Sequence, residues 1–299
     1  MTARLFMSID LHLQDPSKLF QKQAEFYTNS RPLHDPRAIK AALNQAALST
    51  NPVILDLGGG TGTLSEHIAN NSPPSPVRMH LVEPQPDMRE EGLKRLAETP
   101  NCPRIVVANG TSSSTPFPDQ YADAIIMANA AHWFLSDYDN TLAELDRLLK
   151  AEGKIIILYT MLDQEDAFTA KLHDFFADHC EGYTTKRGQF LKPAEQTPTS
   201  ISEQYIGQHE PVRFTREIPY NSPEEFLHML QTYSFYPHGN STFEGQARQF
   251  FAEHTTDGQL RTQWQSTAHV GCIEHGRYYQ HTQASVSALV SLQHTIMDR

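Results

Sequence analysis

Two carboxylates placed around a run of glycines are the first residues here that could do chemistry. In Val53-Ile54-Leu55-Asp56-Leu57-Gly58-Gly59-Gly60-Thr61-Gly62 an acid precedes alternating glycines at 58, 60 and 62, and Glu83 follows 21 positions after Gly62. That interval is close to the ~20 residues expected of an acid that binds a ribose diol. The glycines permit a tight turn, so a ligand can lie almost against the backbone. Two phosphate-binding templates fail. Neither Gly58 nor Gly60 completes G-x-G-x-x-G, and the G-K-[S/T] of a P-loop is missing. A nucleoside without a pyrophosphate fits the pattern best. Further along, Asn129-Ala130-Ala131-His132-Trp133-Phe134 offers His132, whose neutral imidazole could take a proton from a hydroxyl or carboxyl nucleophile. A packing or hydrogen-bonding role for His132 is the alternative, and the sequence leaves both open.

Such residues need strand ends to hold them. Val53 to Leu57 has the length and branching of a buried strand, and Leu64-Ser65-Glu66-His67-Ile68 reads as the helix after the turn. Met79 to Val82 is a second strand, with a helix from Asp87 to Glu98; Arg104 to Ala108 is a third. The fourth, Ala122 to Ala128, delivers Asn129 and His132 at its carboxyl end, where open α/β sheets gather ligands. Leu142 to Lys150 is an amphipathic helix, and Ala151-Glu152-Gly153-Lys154 turns it into a fifth strand, Ile155 to Tyr159.

Outside that block, helices are predicted over 16–30, 36–49 and 165–180, the last rich in aromatic residues. Residues 183–205 are polar and loop-like. Val212 to Ile218 alternates as a strand should, Ser222-Pro223-Glu224-Glu225 carries the signals of a helix start, and Thr262 to Val270 is the last strand. Val286, Leu289, Val290 and Ile296 are spaced as on a helix.

The stretch from Asp56 to Tyr159 resembles the class I S-adenosylmethionine-dependent methyltransferases. The run ending His132-Trp133-Phe134 is similar to the Q-A-x-H-W-F signature of enzymes related to trans-aconitate methyltransferase. The resemblance implies that Gly58, Gly59 and Gly60 contact the methionine moiety, that Asp56 holds its amino end through the loop or water, and that Glu83 takes both ribose hydroxyls. It extends the cofactor contacts to Pro84, Gln85, Met88 and Asn129. Thr111 and Ser112 stand where relatives read adenine, without the usual carboxylate. The order Phe, Ala-x-x-Tyr, Arg-Pro resembles the family's N-terminal lid and offers Tyr27 and Arg31, the latter able to grip a carboxylate bidentately. Trp133, Tyr159, Tyr233 and Tyr236 are the implied substrate contacts, although an aromatic stripe is more often core. His132 is the catalytic candidate, tempered by the fact that methyl transfer to a carboxylate or soft nucleophile needs no base.

The expected fold is a Rossmann-like, doubly wound α/β sheet of seven mostly parallel strands with a helical substrate cap. Lid helices would occupy 1–50, the cofactor core 51–160, a cap insertion 161–210, and the completion of the sheet with cap and C-terminal helices 211–299. The expected reaction is methyl transfer from S-adenosyl-L-methionine to a small molecule, with oxygen or carboxylate preferred. The alternatives are a non-methylating use such as cyclisation releasing methylthioadenosine, and a degenerate regulatory module. With 24 basic and 35 acidic residues, a formal charge of -11 and no basic block, the chain has no electrostatic footprint for nucleic acid or an anionic membrane. The start lacks a signal-peptide pattern, no stretch is long and apolar enough to span a bilayer, and Cys102, Cys180 and Cys272 are scattered, so a cytoplasmic setting is expected. His269, Cys272, Glu274 and His275 come nearest to a metal cluster, but their spacing is irregular and no metal is expected. Oligomeric state is not readable.

Overall fold

The structure is a computed structural model that describes residues 30–71, 77–99, 105–180, 183, 198–233 and 236–273. Tyr27, nearly all of the helix expected over 16–30, the C-terminal helical segment, Cys102, Glu274 and His275 lie outside the described residues.

Asp35 starts α1 (Pro36–Ala46): its carboxylate accepts the Arg37 N–H at 2.8 Å, and Pro36, which has no N–H to satisfy, fills the first helical position. The chain then runs β1 (Val53–Leu57), α2 (Thr63–Asn71), β2 (Arg78–Val82), α3 (Pro86–Glu98), β3 (Ile105–Ala108) and β4 (Ala122–Ala128). A 3₁₀ turn, Ala131–Asp137, leads into α4 (Tyr138–Leu148) and β5 (Leu149–Leu162). The remainder is α5 (Ala167–His179), α6 (Pro198–Ile206), β6 (Val212–Tyr220), α7 (Pro223–Gln231), α8 (Ser241–His254) and β7 (Leu260–Gly271).

The seven strands form one sheet in the order β3-β2-β1-β4-β5-β7-β6. The first five are parallel, and β7 runs antiparallel to both β5 and β6. Between β1 and β4 the order reverses direction, which opens a crevice at their carboxyl ends. Every residue of β1 is buried because the strand is covered on both faces. Alternate residues serve opposite layers. Leu55, Ile125 and Ile157 belong to one apolar cluster, Ile54, Ile126 and Ile156 to the other. A third cluster is built from α5, α7, α8 and β7 around Phe226, Phe243 and Trp264.

Three sequence expectations change. Part of the polar stretch 183–205 is α6, held by Ile201, Tyr205 and Ile206, which are spaced to reach one side of a helix and are buried in the cluster with Leu55. Helix α8 was not expected, although Phe243, Ala247, Phe250 and Phe251 fall on one helical face and are all buried. Strand β5 begins at Leu149, ahead of the expected turn at Ala151–Lys154, and its pairing with β4 shifts register between Ala122 and Ala124. The Ser222 cap stands as read, accepting the Glu225 N–H at 3.1 Å.

Candidate cofactor site

A cleft of about 180 Å³ opens at the carboxyl ends of β1 and β4. Arg31, Asp56, Gly58, Gly59, Gly60, Glu83, Pro84, Gln85, Met88, Asn129 and Trp133 line it, together with His34, Thr61 and Phe134.

The glycine turn is needed at two of its positions for different reasons. Gly58 has φ +70, and a Cβ there would meet Ala130 at 2.9 Å and Phe134 at 3.0 Å. Gly60 has φ +55, and a Cβ there would have nothing within 4 Å, so its bare face is turned to open space. The turn is tied to β2 by Gly58 N–H and Gly59 N–H, which donate to the Val82 carbonyl at 2.9 and 3.2 Å.

Glu83 joins the two strand ends. Its Oε2 accepts the Gly60 N–H at 3.0 Å and its Oε1 accepts the Gln85 N–H at 2.9 Å. Each oxygen has a further lone pair, so the carboxylate can still receive a diol. Burial raises its pKa, with these two amides and Arg89 pulling the other way.

Asp56 is fully buried in mid-sheet. Its Oδ2 accepts from Ser65 Oγ at 2.8 Å, while Oδ1 is buried with no partner. Desolvation carries its pKa up to about 7; the hydrogen bond from Ser65 opposes the rise and the neighbouring Glu83 charge adds to it. An unpartnered buried carboxylate oxygen favours a cation nearby.

At the end of β4, Asn129 adopts φ +50, a left-handed conformation that asparagine tolerates. Its Oδ1 accepts the Thr160 N–H at 2.9 Å, so its side chain is committed to β5 while the residue lines the cleft. Trp133 and Phe134 reach the cleft from the 3₁₀ turn. His132 is not among the lining residues: its ring packs at a tilt, 4.7 Å from Trp133 and 6.0 Å from Tyr159. Burial, aided by the charge of Arg31, pushes its pKa down to about 4, so the imidazole is neutral at pH 7. Tyr159 is buried with no hydrogen-bonded partner on its hydroxyl.

Arg31 lies over the rings of Tyr233 and Trp264, at 5.0 and 5.7 Å, and Nη1 donates to Thr232 Oγ1 at 3.4 Å. Its Nε is buried without a partner.

Among the described residues, Thr111, Ser112, Tyr233 and Tyr236 do not line the cleft. Ser112 Oγ accepts from Thr141 Oγ1 at 2.9 Å, and Thr111 closes a small bridge with Ser114, so these two face α4 and their own turn. Tyr236 packs against Phe243 at 5.2 Å in the aromatic cluster, with its hydroxyl between Gln231 and Glu244, and Tyr233 lies beneath Arg31. Sequence reasoning missed His34 and Trp264. The one local signal for His34 was its place three residues after Arg31; Trp264 had none, because it meets Arg31 only through the fold. Among the described residues no three His, Cys, Asp or Glu side chains are grouped to hold a metal, and no helix is long and apolar enough to cross a membrane.

These groups fit S-adenosylmethionine. The open face at Gly60 admits its backbone-hugging tail, the unpartnered Asp56 oxygen suits a cationic amino end, Glu83 has capacity for a diol, and Arg31 retains a donor for a carboxylate.

Residues 55–157 match the family model for a methyltransferase domain. An uncharacterized methyltransferase of Mycobacterium tuberculosis is 28% identical over 159 residues, covering 53% of this chain and 59% of that protein. A ubiquinone/menaquinone biosynthesis C-methyltransferase of Citrifermentans bemidjiense is 29% identical over 142 residues, covering 48% of this chain and 60% of that protein. The match thus spans about three-fifths of these relatives. A solved structure from Anaeromyxobacter dehalogenans, described provisionally as a type II methyltransferase, superposes with a TM-score of 0.56 at 22% identity, covering 81% of this chain and 97% of that one, which shows a shared fold. Sheet order, glycine turn and spaced acids accord with the match of residues 55–157 to a methyltransferase domain, and the cleft they form has the groups to hold S-adenosyl-L-methionine.

Proposed function

We propose that the protein transfers the methyl group of S-adenosylmethionine to a small organic acceptor through an oxygen, most simply a carboxylate. The observation that carries the reading is the pairing of Asp56 and Glu83 across the glycine turn, one with an unpartnered oxygen and the other reaching Gly60. Glu83 would hold the ribose, Asp56 the amino end through the loop or water, Gly58 to Gly60 the methionine chain, and Pro84, Gln85 and Met88 the nucleoside side of the cleft.

The bound sulfonium supplies an electrophilic methyl group. The protein's part is then to hold the acceptor in line and to exclude water, which can provide most of the acceleration. Trp133 and Phe134 close one wall of the cleft. A histidine with a pKa near 4 is a weak base at neutral pH. His132 therefore serves better as a neutral hydrogen-bonding group packed between Trp133 and Tyr159, and an acceptor that arrives already ionised needs nothing more from it. This is the reason for preferring a carboxylate. Tyr159, next to His132, and Tyr233, beneath Arg31, are the proposed acceptor-side residues. Three cysteines scattered through the sequence suit a reducing, cytoplasmic setting.

Incubation with methyl-labelled S-adenosylmethionine and a panel of small organic acids tests the proposal. Label in an ester together with S-adenosylhomocysteine supports it. Methylthioadenosine as the product would mean attack on another carbon, and absence of cofactor binding in calorimetry would point to a degenerate module.

A further inference from the structure

His34 lines the same cleft as Arg31, Gly58 and Glu83. Its Nδ1 lies 2.8 Å from Thr160 Oγ1, which lies 2.7 Å from Ser266 Oγ, and Ser266 Oγ accepts the backbone N–H of Asp35 at 2.9 Å. Counting hydrogens along this chain fixes its direction. Ser266 accepts from Asp35 and donates to Thr160, and Thr160 donates to His34 Nδ1. In the opposite direction the Ser266 hydroxyl hydrogen would have no acceptor among the described residues, at a position 1% exposed. The hydrogen of the neutral ring therefore rests on Nε2, the nitrogen left for the cleft. The segment carrying it is fastened at other points too: Arg216 donates to the Leu33 carbonyl, and Arg37 pairs with Asp35 at 2.7 Å. Burial and the charges of Arg31, Arg216 and His67 hold the ring neutral, with its pKa near 4, so this tautomer persists across the working range.

We propose that Arg31 and His34 act as paired donors to a single carboxylate, the guanidinium supplying charge and the His34 Nε2–H a neutral second hydrogen bond whose direction is set by Thr160 and Ser266. The pair rests on the cofactor reading above, because both residues share the cleft of the glycine turn; the favoured carboxylate is that of the methionine moiety, and a carboxylate on the acceptor is the other source of the same chemistry.

Titration calorimetry on the full chain separates these cases, with S-adenosylmethionine, decarboxylated S-adenosylmethionine and malonate as probes. His34→Phe is expected to weaken S-adenosylmethionine about tenfold and to leave the decarboxylated analogue within about twofold of wild type, as loss of one hydrogen bond to a charged group requires. His34→Gln, which returns an N–H donor, recovers part of the loss, and Thr160→Val, which frees the tautomer, gives a smaller one. If His34→Phe spares both nucleosides but weakens malonate binding to the S-adenosylhomocysteine-loaded protein, the donor pair stands and its carboxylate belongs to the acceptor. Equal losses for the two nucleosides, or no loss for any probe, overturn the proposal. Failure of the cofactor reading has its own signature: the wild type binds neither nucleoside. In that event, malonate binding that is lost in His34→Phe keeps the pair, and absence of malonate binding removes it.

Discussion

Between β1 and β5 the core is aliphatic and layered, whereas around β6 and β7 it is packed from aromatic rings. Leu55, Ile125 and Ile155 are fully buried in the first region; Phe226, Phe243 and Trp264 are the equivalents in the second. The first region presents backbone at the cleft, through Gly58 to Gly60 and the amides that hold Glu83. The second supplies Arg31 with its floor, through Tyr233 and Trp264. A groove made by backbone depends on few side chains, so this side of the cleft is set by Asp56, Glu83 and the glycines. A wall made by interlocking rings depends on many.

Four measurements bear on that contrast. Trp264→Ala is expected to have the largest effect, a loss of about 3–5 kcal/mol of stability in urea unfolding, since the ring is fully buried. It should also weaken the cofactor by releasing Arg31; normal stability would mean that the aromatic region is not packed as described. Glu83→Ala is expected to lower S-adenosylmethionine affinity about a hundredfold by calorimetry, from two lost hydrogen bonds to a charged group. The Gly60 and Gln85 amides lose their acceptor, so the unfolding midpoint should fall as well; unchanged binding by the folded variant would refute the ribose assignment.

The pH dependence comes next and separates binding from stability. Asp56 has a folded pKa raised to about 7, so its contribution to stability is fully present below its ordinary carboxylate range and is lost as pH rises through 7. A cationic amino group favours the ionised form. Cofactor affinity should therefore increase as pH rises toward 7, by up to about tenfold per unit, and level off above it. Asp56→Asn should flatten the profile; a wild-type profile already flat from pH 5 to 8 would contradict the burial argument. The histidines act with the other sign. His34, His132 and His269 have pKa values lowered to about 4, 4 and 3, so stability falls as pH drops below their ordinary value of 6.5. The smallest effect is expected for Tyr159→Phe, which removes a buried hydroxyl without a partner. Stability should change by about 1 kcal/mol or less, because no hydrogen bond is lost. An altered acceptor KM at unchanged cofactor affinity would place this hydroxyl on the acceptor side.

Much of the sheet was readable because its signals are local. A five-residue apolar run, a glycine turn and an acid at the next strand end lie within a few tens of positions, and parallel strands announce themselves by continuous branched residues. Helix α8 was readable in principle, since Phe243, Ala247, Phe250 and Phe251 fall on one face. Thr111 and Ser112 are a different case. Their position in the chain matches a cofactor contact in the family they resemble, and their hydrogen bonds in this structure run to α4 and within their own turn.

The sequence by itself determined the carboxylate pair, the bare turn between them and the five parallel strands, because each depends on neighbours in the chain and on the conformations glycine allows. Tertiary structure alone decided what surrounds Arg31 and His34. The bond from His34 to Thr160 joins residues 126 positions apart, and that from Asp35 to Ser266 joins residues 231 apart. No local pattern encodes such meetings. They exist because β7 returns antiparallel beside β5 and places Ser266 against Thr160, where one buried hydroxyl must satisfy the next.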